Sequence, residues 1–156
     1  MWRGGGDSGS ESVEMSEVKV KKYPNCFGCG SSNPIGLRLR HRLERDRLVT
    51  EFVPREDHQG WPDITHGGII ATLLYEVLEN LPYHLGVVTM MKSMDTRFRR
   101  PAKTGKSLVA ESWLVDRSDR NMTVSASLTG EDSELIAEGS AVLVVLSQRQ
   151  RERLSI

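Results

Sequence analysis

The sequence predicts an α+β domain in which an antiparallel sheet wraps around one long buried helix. Three observations predict it. A single stretch places apolar residues at three-four spacing: Ile69, Ile70, Leu73, Leu74, Val77, Leu78 and Leu81, the period of a helix. The segments on either side alternate apolar and polar residues, the period of half-buried strands. The connections between those strands are short and turn-like, which suits hairpins better than βαβ crossovers. Apolar positions cover well over half of the helix circumference, so the helix needs a sheet closed around it.

The elements follow in order. Residues 1–20 are rich in Gly, Ser and Glu and read as a disordered N-terminal tail with little to bury. Residues 21–148 read as one folded domain. Asn33-Pro34-Ile35-Gly36 is a turn, because Pro presets φ and Gly permits positive φ. Leu37 to Leu43 alternates and predicts a strand, and Leu48 to Val53 predicts a second one stopped by Pro54. An irregular loop from Arg55 to Thr65 contains Gly60, Trp61 and Pro62. Thr65 is placed to cap the helix, and Leu81-Pro82 is expected to end it. Four strands follow: Val87 to Arg99, Ser107 to Val115, Met122 to Leu128 and Leu135 to Leu146. Residues 149–156 form a charged C-terminal tail.

The totals exclude several classes. Lys plus Arg and Asp plus Glu are both 21 in 156 residues, so no global charge draws the chain to nucleic acid or an anionic membrane. No apolar run is long enough to cross a bilayer. Met1 to Ser10 lacks the apolar segment of a secretory signal, so the expected location is cytoplasmic. Cys26 and Cys29 lie in a Cys-Phe-Gly-Cys run. A structural zinc site needs four ligands, typically as two such pairs; the second pair is absent, and His41, His58, His66 and His84 do not fall at finger spacing. Structural thiols in a reducing compartment are the favoured reading, with no metal expected, over redox or metal chemistry.

The informative stretch runs from His58-Gln59-Gly60-Trp61 through His66-Gly67-Gly68. Two glycines in the first turn of a buried helix each cost about 1 kcal/mol of helix propensity. One reason to keep them is access: without Cβ atoms, a ligand carbonyl reaches the free N–H groups and positive end of the helix. The other is that they merely let loop and helix pack closely.

His66-Gly67-Gly68 opening a long apolar helix resembles the hotdog-fold thioesterases, in particular their PaaI-like branch. So do Cys26-Phe-Gly-Cys29 followed by Asn33-Pro34 and Gly36-Leu37, and His58-Gln59-Gly60 ahead of the His-Gly-Gly. Arg97-Phe98-Arg99-Arg100-Pro101 before Gly105, and the Ala137-Glu138-Gly139 strand, are similar as well. The resemblance spans about Tyr23 to Leu146. It implies a hotdog fold and hydrolysis of an acyl-CoA or related acyl-thioester. The thioester carbonyl is then polarised by Gly67 and Gly68, and an acid on the helix, reaching in from a partner subunit, serves as nucleophile or base. It also implies a homodimer or homotetramer, with coenzyme A only as part of the substrate and no separate cofactor.

The sequence departs from that pattern at one position. Nine residues after His66, where the family usually has an acid, stands Tyr75, followed by Glu76 and, one turn on, Glu79. At about 100° per residue, Tyr75 and Glu79 lie nearly in line with Gly68, and Glu76 lies roughly 80° away. Tyrosine is a poor base at neutral pH but donates hydrogen bonds. Glu76 or Glu79 then takes over as base, with Glu76, assisted by Tyr75, the expected catalytic acid. The alternatives are that Tyr75 marks an acyl-CoA-binding protein without turnover, or that the chemistry needs no carboxylate there. A hydratase is a further alternative, for which no clear motif is present. Glu76 and Glu79 also read as a solvated helix face.

Around this centre, His58, Gln59, Trp61, His66 and Glu79 are candidate substrate-binding residues. His66 also reads as a helix cap and Trp61 as a packing anchor, and Asp63 is a weaker candidate acid. Arg97, Arg99 and Arg100, with Lys103 and Lys106, form a basic cluster. Alternation places Arg97 and Arg99 on one face and Arg100 on the other. They suit the phosphates of coenzyme A or, equally, a charged edge strand.

Overall fold

The computed structural model describes residues 21–156, and the tail predicted over residues 1–20 lies outside the described residues. One six-stranded antiparallel sheet is formed by β1 (His41–Glu44), β2 (Arg47–Phe52), β3 (Thr89–Phe98), β4 (Leu108–Arg117), β5 (Asn121–Thr129) and β6 (Leu135–Val145). The spatial order is β1-β2-β4-β5-β6-β3. The helix α1 (Gly67–His84) packs against the sheet, touching all six strands.

The side chains that predicted α1 do the packing. Leu73, Leu74, Val77, Leu78 and Leu81 are fully enclosed and meet Leu108, Val124, Ala126, Leu128 and Leu143 from the sheet. At Gly139 on β6 an added Cβ would touch the Leu74 and Leu78 side chains and crowd the Asp95 carbonyl. Glycine there lets the strand lie against the helix. Ser112 Oγ on β4 donates to the Val77 carbonyl at 2.6 Å, which satisfies a buried hydroxyl and pins sheet to helix. Register shifts in β3 between Met91 and Ser93 and in β4 between Leu114 and Asp116 are bulges, which increase strand twist.

Four local expectations differ from the structure. Regular pairing of the first strand begins only at His41. Arg38 has φ 53, and the Leu37 and Leu39 amides bond the carbonyls of Phe27 and Gly28. The alternation survives, with Leu37 and Leu39 in the core, but the partner is the cysteine loop. The N-cap of α1 is His66, not Thr65. The helix runs on through Pro82 to His84. It ends in a glycine cap: Gly86 has φ 85, its N–H bonds the Tyr83 carbonyl, and the Val87 N–H reaches back to the Pro82 carbonyl, the paired bonds of a Schellman motif. Finally, the charged C-terminal segment contains α2 (Gln148–Leu154), started by a reciprocal Ser147–Gln150 capping box. No helix among the described residues is long and apolar enough to cross a membrane.

Candidate functional site at the start of the buried helix

The loop before α1 is tied down at every step. Glu56–His58 forms one 3-10 turn. His58 is buried, its ring packs on Phe52 with centroids 5.3 Å apart, and its Nδ1 accepts the Arg55 N–H at 2.9 Å. Burial, then the nearby Arg55 charge, lowers its pKa below the ordinary histidine value, so the ring is neutral at physiological pH. Its carbonyl accepts the His66 N–H at 2.8 Å. Gln59 Oε1 accepts the Asp63 N–H at 3.1 Å. Pro62 and Asp63 occupy the centre of a tight turn closed by the Ile64 N–H on the Trp61 carbonyl, with Asp63 at φ 60. The loop is joined to the segment after β3 by Thr65 N–H to the Ala102 carbonyl at 2.7 Å and Thr104 N–H to the Asp63 carbonyl at 3.0 Å. His58, Gln59 and Asp63 thus shape this loop; none of them lines its cavity.

That cavity, about 500 Å³ and open to solvent, is lined by Gly60, Trp61, Ile64, Thr65, His66 and Gly67. Trp61 is 80% exposed, so it anchors no packing within the chain and stands at the rim. The Gly67 and Gly68 amides have different fates. His66 Nδ1 accepts the Gly68 N–H at 2.8 Å, and the Ile69 and Ile70 amides fold back on the His66 carbonyl. The Gly67 N–H has no partner among the described residues. One backbone donor, not two, is therefore free at the positive end of α1. A Cβ on Gly67 would meet only the Phe98 ring, at 3.7 Å. Because Nδ1 of His66 is an acceptor, the proton of its neutral ring sits on Nε2.

The three candidate residues on the helix, Tyr75, Glu76 and Glu79, separate. Tyr75 is exposed and Glu79 half-buried, and both lie on the stripe of Gly68 and Thr72. Burial, then the Glu79 and Glu76 charges, raises the Tyr75 pKa, so the phenol remains a donor. Burial, with a smaller contribution from the Glu76 charge and against the opposing effect of the Met91 N–H, raises Glu79 from 4.5 to about 7. Its Oε2 is buried and unpartnered. Glu76 is 7% exposed and faces elsewhere, toward Cys26, Cys29 and His41. Burial pushes the Cys29 thiol there up to about 12. The roughly 80° between Glu76 and the Gly68 stripe, legible in the sequence, is what turns it away.

The basic cluster divides too. Arg99 pairs with Glu138 at 2.6 Å, Arg97 with Asp95 at 3.6 Å and Lys106 with Glu131 at 3.7 Å. Arg100 and Lys103 make no ion pair among the described residues, and Lys103 bridges Ile64 in the cavity loop. Sequence reasoning missed Ile64 and Thr65 as cavity walls, and Phe98 beside Gly67. It also missed His41, although His41 shares the inward parity of Leu37 and Leu39.

No family model and no curated protein matches the sequence. Solved structures do match. A thioesterase superfamily protein superposes with a TM-score of 0.72 at 22% identity over 79% of this chain. The chain spans 63% of that protein's length. A hypothetical thioesterase from Streptococcus pneumoniae, solved with coenzyme A, gives 0.66 at 14% identity over 70% of this chain and 87% of its own. The phenylacetic acid degradation protein PaaI from Thermus thermophilus, as a point mutant, gives 0.65 at 22% identity over 70% and 95%. The six-stranded antiparallel sheet around one long helix, shared with these thioesterases, is the hotdog fold, and this chain has it.

Proposed function

We propose that the protein hydrolyses an acyl-thioester, with an acyl-CoA as the expected substrate, and that it does so as a homodimer or larger homo-oligomer. The observation that carries this reading is the free Gly67 N–H at the start of α1, opening into a cavity walled by Trp61 and Ile64. A thioester carbonyl placed there accepts that hydrogen bond, and the helix dipole stabilises the oxyanion that forms when water adds to the carbonyl carbon. Collapse of that intermediate breaks the C–S bond, giving free acid and thiol. Arg100 and Lys103, beside the cavity loop, are the free cations for the phosphates of a coenzyme A moiety.

The base is assigned to Glu79 rather than Glu76, because Glu79 shares the Gly68 stripe and titrates near neutrality. Glu79 stands twelve residues beyond Gly67, roughly 18 Å along the axis at 1.5 Å per residue. It cannot reach a carbonyl at Gly67 of its own chain. A second copy must bring it, with Tyr75 as an additional donor. The exposed Met90 and Phe98 on β3, an edge of the sheet, and the exposed Tyr75 offer that copy an apolar surface. Coenzyme A in the Streptococcus pneumoniae structure supports the substrate class.

A second reading is an acyl-CoA-binding protein without turnover, favoured by Tyr75 standing where the resemblance expects an acid. Thiol release from short, long and aryl acyl-CoAs, with Gly67→Ala and Glu79→Gln beside wild type, separates the two. Turnover by wild type that both variants lose supports hydrolysis. Binding without thiol release selects the second reading, and neither binding nor release removes both.

A further inference from the structure

Beneath the loop of Cys26-Phe27-Gly28-Cys29, four side chains from three parts of the chain meet. The Cys26 and Cys29 sulfurs and a Glu76 carboxylate oxygen all lie within 4.8 Å of one another. The loop is folded as a knuckle: the Cys29 N–H points to Cys26 Sγ at 3.5 Å and the Gly30 N–H bonds the Cys26 carbonyl at 2.9 Å. The backbone at Gly28 lies directly on the Glu76 carboxyl, where any Cβ would overlap it.

His41 on β1 stands beside this group, against Glu76. Its side chain is 5% exposed, its Nε2 lies 3.5 Å from Glu76 Oε2, and that nitrogen has no hydrogen-bond partner. Its Nδ1 is held from behind by Thr50 Oγ1 at 2.5 Å, the outer-shell bond that orients a ligating imidazole and fixes its tautomer. Glu76 is itself steadied by Asn80 Nδ2 at 3.3 Å. Among the described residues no Lys or Arg pairs with Glu76, so a buried carboxylate here lacks the cation that usually accompanies one.

We propose that Cys26, Cys29, Glu76 and His41 bind a zinc ion that staples the N-terminal loop to α1 and β1. Two sulfurs, an imidazole nitrogen and a carboxylate oxygen are a zinc donor set. Tetrahedral ligation at about 2.3 Å from sulfur sets ligand atoms roughly 3.8 Å apart, so shifts of about an ångström bring Cys26, Cys29 and Glu76 together, and His41, in contact with Glu76 but outside that 4.8 Å group, swings in to complete the site. Sequence spacing alone argues against a metal because a second cysteine pair is missing; Glu76 and His41, distant in sequence, take its place. Four protein ligands leave no open position, so the ion is structural, and the proposal stands apart from the thioester reading.

The test uses the full chain without a polyhistidine tag. Metal analysis after purification without chelator is expected to find one zinc per chain. Cobalt added to reduced, metal-free protein is expected to give sulfur-to-cobalt charge-transfer absorption and the strong visible bands of a tetrahedral ion. Cys26→Ser and Cys29→Ser each lose the charge-transfer intensity of one sulfur. Thr50→Val, which removes only the bond behind His41, weakens zinc affinity about 10–100-fold. Substoichiometric zinc together with a cobalt spectrum lacking sulfur bands on wild-type protein overturns the proposal, whatever the variants do. So does recovery of Cys26 and Cys29 as a disulfide under reducing conditions that should leave them free for metal.

Discussion

His66 Nδ1 accepts the N–H of Gly68 across 2.8 Å, so the residue that opens the helix also occupies one of the two glycine amides beside it. Replacing His66 with Ala removes an N-cap and should cost about 1 kcal/mol, whereas Asn restores a short side-chain acceptor and most of the stability. Urea unfolding of the three proteins measures this. Equal stability for Ala and Asn would show that the cap bond carries no weight.

Gly67→Ala separates access from packing. The added methyl meets only the Phe98 ring, at ordinary contact distance, and Gly67 has no positive φ. The variant should therefore fold with unchanged or slightly higher melting temperature. Its methyl stands at the approach to the free N–H, so thioester turnover should fall at least about tenfold, and by up to 10²–10³ if the oxyanion contact is lost. Unchanged turnover would remove Gly67 from the site.

Glu79 makes pH a probe of both stability and activity. Folding raises its pKa from 4.5 to about 7, so the folded chain favours the protonated carboxyl. The stability this gives is present below pH 4.5 and lost as pH rises through about 7. The stability of wild type, measured by urea denaturation between those values, should fall with rising pH relative to Glu79→Gln. A base must be deprotonated, so turnover should rise across the same interval. A rate profile that is flat near pH 7 would exclude Glu79 as the base.

Leu78 lies under Gly139 with no exposed surface. Leu78→Ala should cost about 2–5 kcal/mol, read as a lower urea midpoint at constant slope. A cost below about 1 kcal/mol would mean that the sheet collapses onto the helix at Gly139.

The fold was legible because its two periods are clean. Leu73, Leu74, Val77, Leu78 and Leu81 mark the buried face of α1, and alternation in β5 puts Met122, Val124, Ala126 and Leu128 inside. Element ends were less legible: a proline signal at Leu81-Pro82 gave way to a glycine cap at Gly86, because tertiary packing carries the last turn past Pro82. The site was half legible. Motif spacing located the cavity at His66 and Gly67, yet no local pattern says that His66 takes the Gly68 amide. Sequence proximity to Tyr75 makes Glu76 the expected acid. Its angular position on the helix, available from the sequence, points instead to the cysteine loop.

The strand order β1-β2-β4-β5-β6-β3 has a consequence for the nascent chain. Among the described residues β3, made directly after α1, pairs only with β6, residues 135–145, which is made only after β4 and β5. Until they leave the ribosome, β3 has no partner and much of the apolar surface of α1 is uncovered. Such long-range pairing makes folding slow and leaves hydrophobic surface open to aggregation. Truncations that remove β6 should therefore yield insoluble chains rather than a smaller folded domain, and the helix that builds the site is the segment most in need of chaperoning while it waits.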